Sequence, residues 1–101
     1  MSDDVTPALD RLFDLARSDT GQARRAANFL LAWWDAQLFG GFDLTDLFAV
    51  DRAIADDMAS VFGFLGRHTG AIYADGLGYG DRMEELIRRW RTPAEGEASR
   101  P

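Results

Sequence analysis

His68 is the chain's one histidine, and with thirteen aspartates and four glutamates it makes up the acid–base and metal-ligating capacity of the sequence. A lone imidazole in the last turn of a helix is expected to sit against the carbonyl end of the helix dipole. With no second histidine to act as base, none of the serines is expected to be a nucleophile. Cysteine is absent, which removes thiol nucleophiles, thiolate metal sites and disulfides. Asp43, Asp46 and Asp51 do not follow the alternating ligand pattern of a calcium loop, and Asp43 and Asp51 suit the capping of helices. The adjacent Asp56 and Asp57 diverge by about 100° on a helix. Gly76-Leu77-Gly78-Tyr79-Gly80 lacks both the hydrophobic strand before a phosphate loop and the lysine after it. No catalytic residue, no metal site and no cofactor is therefore expected.

What remains is shape and charge. Seventeen acids face eleven bases, every base an arginine, for a net charge of −6. A sequence pI of about 4.5 argues against direct binding to nucleic acid, since neutralising phosphates needs a basic face. From Asp35 to Asp57 six aspartates stand against Arg52 alone, six negative charges less one positive, or −5. Phe39, Phe42 and Phe48 fall within that stretch, interleaved with Asp43 and Asp46 and followed by Asp56 and Asp57. Apolar anchors ringed by acids suit a protein-binding patch, with the rings supplying affinity and the charges steering approach. These seven residues are the expected partner contacts, and the expected partner is a protein with a basic surface, such as one that handles nucleic acid.

The elements that must carry them are helical. Thr6-Pro7 suits a helix start, and Leu9, Leu12, Phe13 and Ala16 recur at helical spacing. From Gln22 to Leu38 the apolar residues occupy most of the circumference, which predicts a central helix enclosed by the others and ended by Gly40-Gly41. A short helical turn over 42–48 and a helix from Asp51 to Arg67 follow, the latter burying Ile54, Met58, Val61, Phe62 and Leu65. Ala55, Ala59, Gly63 and Gly66 make one side of that helix shallow. A glycine-rich connection, with a short extended piece at Ile72-Tyr73, leads to a last helix in which Asp81 and Glu84 approximate a capping box. Glu84 with Arg88 and Glu85 with Arg89 are spaced for ion pairs. The expected fold is all-α: a single-domain bundle over 1–91, with four main helices and a short turn around the central helix. Residues 92–101 are expected to form a disordered tail. The longest apolar runs, about six residues, fall far short of the ~20 needed to span a bilayer. Together with an acidic start this predicts a soluble, cytoplasmic protein.

Three blocks of the chain carry a resemblance: Ala16–Gln22, Phe29–Trp34, and Gly40–Leu47 with Val50–Met58. Over roughly Leu9 to Trp90 the sequence resembles a family of small uncharacterised proteins found on plasmids, integrative elements and phage-related islands of proteobacteria. The resemblance implies no activity and no catalytic residues. Its context implies an accessory role in conflict between mobile elements and hosts, where small acidic proteins block nucleic-acid-handling machinery. The chain is similar to anti-CRISPR inhibitors in size and charge only. A non-enzymatic protein-binding module is thus the expected function. The alternatives are a small carboxylate-dependent enzyme or ligand-binding protein, and a homo-oligomeric structural or adaptor protein; the sequence fixes no oligomeric state.

Overall fold

Apolar residues three and four apart wind Thr6–Ala16 into helix α1, and Leu9, Leu12, Phe13 and Ala16 are buried as that spacing requires. The computed structural model describes residues 4–91. Thr6 lies inside the helix rather than capping it. Its N–H donates to the Asp4 carboxylate at 2.9 Å, and that bond holds the Asp4 carboxyl below its ordinary range. Helix α2 spans Gly21–Phe39, one residue earlier than expected, and starts with the Thr20 hydroxyl accepting from the Ala23 N–H at 3.0 Å. It ends at Gly40, whose φ of 97° and ψ of 157° lie where only glycine is comfortable.

A 3-10 turn over Leu44–Ala49 follows, capped by Asp43, and then α3 over Arg52–Arg67. Asp51 stands at the start of α3 but does not cap it with its side chain. Its N–H donates to Gln22 Oε1 at 2.7 Å and its carboxylate accepts from Gln22 Nε2 at 3.4 Å, which ties the start of α3 to the start of α2. Tyr73 is extended, as expected, but leads into a second 3-10 turn over Ala74–Leu77, and among the described residues there is no strand. Helix α4 spans Gly80–Trp90 and begins one residue before Asp81, so the anticipated capping box does not form. Glu85 pairs with Arg17, just past the end of α1, at 3.5 Å rather than with Arg89.

The bundle is all-α, and its centre is shared. Helix α1 packs on α2, α3 and α4 in turn, whereas α2 buries only Ala23, Ala26, Ala27, Leu30 and Leu31 in its first two-thirds. Asp35, at φ −166° and ψ 91°, breaks the helical path and turns the last residues of α2 to a new register, in which Phe39 still packs against the core. Leu38, the last apolar residue of the expected central helix, lies beyond this break and is exposed.

The α1–α4 seam is closed by stacked rings and ions. Phe13 and Tyr79 lie parallel at 5.1 Å, and the Arg82 guanidinium stands over both while bonding Asp10 and Asp14. The Trp90 indole N–H donates to the Ala16 carbonyl at 2.7 Å. Arg91 donates to the Phe39 carbonyl at 3.0 Å and to the Asn28 side chain, anchoring the end of the described chain on α2. The expected tail, 92–101, lies outside the described residues.

Candidate functional site

Helices α2 and α3 meet only briefly, because the apolar faces of both are turned mainly toward α1. The gap between them is lined by side chains that helical spacing alone would have buried. Two adjoining depressions of about 260 and 300 Å³ share Phe29, Phe42, Leu44 and Phe62 and together form an apolar groove. Phe42, carried over by Gly40-Gly41, meets Phe29 edge to face at 5.3 Å. Ala59 and Gly63 of α3 also line it, and their small side chains leave it open. The groove is partly exposed apolar surface, with Leu44 at 65% and Phe62 at 67% exposure. Phe62, predicted to face the core, faces this groove instead.

The seven predicted partner contacts are dispersed. Phe42 lines the groove, and Asp43 stands beside it, exposed. The Asp43 carboxylate accepts from the Thr45 hydroxyl at 2.8 Å and its N–H at 2.9 Å, which lowers its pKa and occupies one oxygen in shaping the turn. Asp56 is exposed on α3, on the same side as Ala59 and Gly63 by helical spacing. Phe48 is 88% exposed but is not part of the groove lining. Phe39 is half-buried and packs against the core, so it is no free anchor. Asp46 is half-buried and paired with Arg25 at 3.4 Å. Asp57 is buried and held by Arg11, which removes it from any contact surface. Asp46 and Asp57 are each held by an arginine distant in sequence.

Phe29, Leu44 and Phe62 are the groove residues that sequence reasoning missed as a site. The signal was present in the run of small residues beside Phe62: a shallow helix side can mark close packing, and here it marks an opening.

The groups considered for chemistry lie apart. His68 is exposed at the end of α3, its Nδ1 3.2 Å from the Gly70 carbonyl and its ring 5.7 Å from that of Phe64. The glycine-rich run forms the second 3-10 turn and the lead into α4, with Gly78 in the left-handed region. Among the described residues no three His, Asp or Glu side chains come together in a way that could hold a metal ion.

Over residues 6–91 the sequence matches a family of unknown function, DUF7673. The chain belongs to this family. Neither the curated proteins nor the solved structures include a match. Among the described residues no helix is long and apolar enough to cross a membrane.

Proposed function

We propose that the protein works by binding another protein and catalyses no reaction, and that the α2–α3 groove takes an amphipathic segment of a partner with a basic surface. The observation that carries this reading is Phe62. A large ring on a helix leaves 67% of its surface exposed beside an apolar groove, where covering it would remove that area from water. Asp43 and Asp56, both exposed and neither in an ion pair with an arginine among the described residues, stand on the flanks and complement basic side chains on the incoming segment.

The test uses a synthetic helical peptide with leucines at helical spacing and arginines on either side, followed through methyl resonances of Leu44, Leu47 and Met58. Phe62→Asp should abolish the shifts and Asp56→Lys should weaken binding severalfold, while both variants keep the helical signal. Unchanged binding in Phe62→Asp, or equal binding of a peptide with glutamate flanks, would refute the reading. Sedimentation that shows self-association lost in Phe62→Asp would replace the partner by a second copy of the chain.

The narrower form of the proposal is an inhibitor of the anti-CRISPR kind, which occupies a basic surface that otherwise holds DNA or RNA. Its support is the net charge of −6 and the resemblance to proteins of mobile elements. A partner should then release its nucleic acid when the protein is added; a stable ternary complex would exclude this form.

A further inference from the structure

Beyond the groove, α2 presents a second and chemically different hollow at its kink. It measures about 330 Å³ and is lined by Trp34, Asp35, Tyr73 and Asp75. Its construction is specific. The Trp33 indole N–H donates to the Ile72 carbonyl at 2.9 Å, pinning the connection after α3 against α2. That bond brings the next residue on each side together, so that the rings of Trp34 and Tyr73 meet edge to face at 6.4 Å and 89°. Asp35, where the helical path breaks, is oriented by accepting from the Leu38 N–H at 3.1 Å. On the far wall, Asp75 packs closely on the backbone of Gly80, where a Cβ would come within 3.3 Å of the Asp75 Cβ.

We propose that this hollow is a subsite for one organic cation, the guanidinium of an arginine side chain on the protein partner. Aromatic faces attract cations through the ring quadrupole, and two carboxylates add charge and hydrogen-bond acceptors. Among the described residues neither Asp35 nor Asp75 takes part in an ion pair, so no internal arginine competes for the place. A bare divalent ion is a poorer match, since hard cations collect several oxygens and two of the four lining side chains are aromatic rings, of which only Tyr73 carries an oxygen. Arginine is favoured over lysine because a planar guanidinium can stack on a ring and bond a carboxylate at once.

The subsite deepens the protein-binding reading and rests on it for the source of the cation. A depression of about 270 Å³ lined by Trp33, Leu65 and Tyr73, among others, links the two: Trp33 and Leu65 also line the groove, and Tyr73 also lines the cation hollow. A segment seated in the groove thus has a continuous path along which to deliver a basic side chain.

The test is a titration of isotopically labelled full-length protein with N-acetyl-arginine methylamide, followed at the three tryptophan indole N–H resonances. The Trp34 signal should move with a dissociation constant on the order of 10 mM, as expected of a single exposed cation–aromatic contact helped by carboxylates. The Trp33 and Trp90 signals, bonded to the Ile72 and Ala16 carbonyls, should stay in place. The neutral isostere N-acetyl-citrulline methylamide should produce no shift. Asp75→Asn and Tyr73→Leu, both at exposed positions, should each weaken binding about fivefold or more without loss of helicity. Phe62→Asp should leave this titration untouched, which separates the subsite from the groove. Equal shifts with the citrulline compound, or an unchanged constant in Asp75→Asn, would overturn the proposal. Tighter binding of tetramethylammonium than of the arginine compound would overturn the assignment to a partner side chain and indicate a free quaternary amine.

Discussion

Arg11 grips Asp57 through two parallel hydrogen bonds, Nε to Oδ2 at 2.9 Å and Nη2 to Oδ1 at 2.8 Å, and so clamps α1 to α3. The guanidinium is largely in solvent while the carboxylate is not, with side-chain exposures of 64% and 12%. Losing one partner therefore harms the fold unequally. Arg11→Met should cost about 1–3 kcal/mol, because it strands a buried carboxylate. Arg11→Met with Asp57→Leu should recover much of that, and urea unfolding of the two singles and the double gives the coupling. A double variant no more stable than Arg11→Met would show that the clamp is not a stranded-charge problem.

Tyr79 gives the fold an alkaline limit. Burial first, and then its hydrogen bond to Asp10 at 2.8 Å, push the phenol up to about 12 from an ordinary 10.0. A raised pKa in the folded state means that the contribution to stability is complete below pH 10 and is lost as pH climbs toward 12, where the unfolded chain ionises first. Tyr79→Phe should cost about 1 kcal/mol at neutral pH and flatten that alkaline loss. Unfolding midpoints across this window, with ultraviolet absorbance to follow phenolate, check both.

Gly63 and Gly66 separate stability from binding. An alanine Cβ at Gly66 meets nothing within 4 Å, whereas at Gly63 it comes within 2.9 Å of Arg67 Nη1, the mobile end of a long side chain. Both substitutions should stabilise α3, by roughly 0.5 kcal/mol or somewhat more, since glycine is costly in a helix. Only Gly63→Ala adds a methyl to the groove lining, so it alone should weaken peptide binding. Equal affinities for the two variants would argue against the groove.

Gly40 sets the path of Phe42. Its φ of 97° is open to glycine but strained for any L side chain, although space for a Cβ exists. Gly40→Ala should cost about 1–3 kcal/mol and blunt the Phe29–Phe42 contact, while Gly41→Ala should be close to neutral. Thermal unfolding of both, with the aromatic shifts of Phe42, provides the measurement.

Helical spacing was a reliable guide wherever a face is buried by its immediate neighbours, as with Leu9, Leu12, Phe13 and Ala16 in α1 and Met83 and Leu86 in α4. Local chemistry was equally readable: the Thr20 hydroxyl caps α2, Asp43 caps the first turn, and Gly40 ends the helix before it. These features depend on residues a few positions apart, so a linear text contains them. The candidate site was read less well. Phe42, Asp43 and Asp56 lie in or beside the groove, but Asp57 and Asp46, surface charges by composition alone, are neutralised by Arg11 and Arg25 from 46 and 21 positions away.

By itself the sequence determined an acidic all-α chain, the approximate extent of its helices and most of the stripes that seed its core, because these follow from short-range periodicity; the caps at Asp51 and Asp81 that local pattern suggested do not form. Tertiary structure alone decided that α1 shares the centre with α2, that Phe62 and Leu38 face outward, and that Trp33 brings Tyr73 against Trp34. A helix can state which of its faces is apolar, but which neighbour covers that face, and how much of it stays open, is set by how all the helices divide a limited interior among themselves.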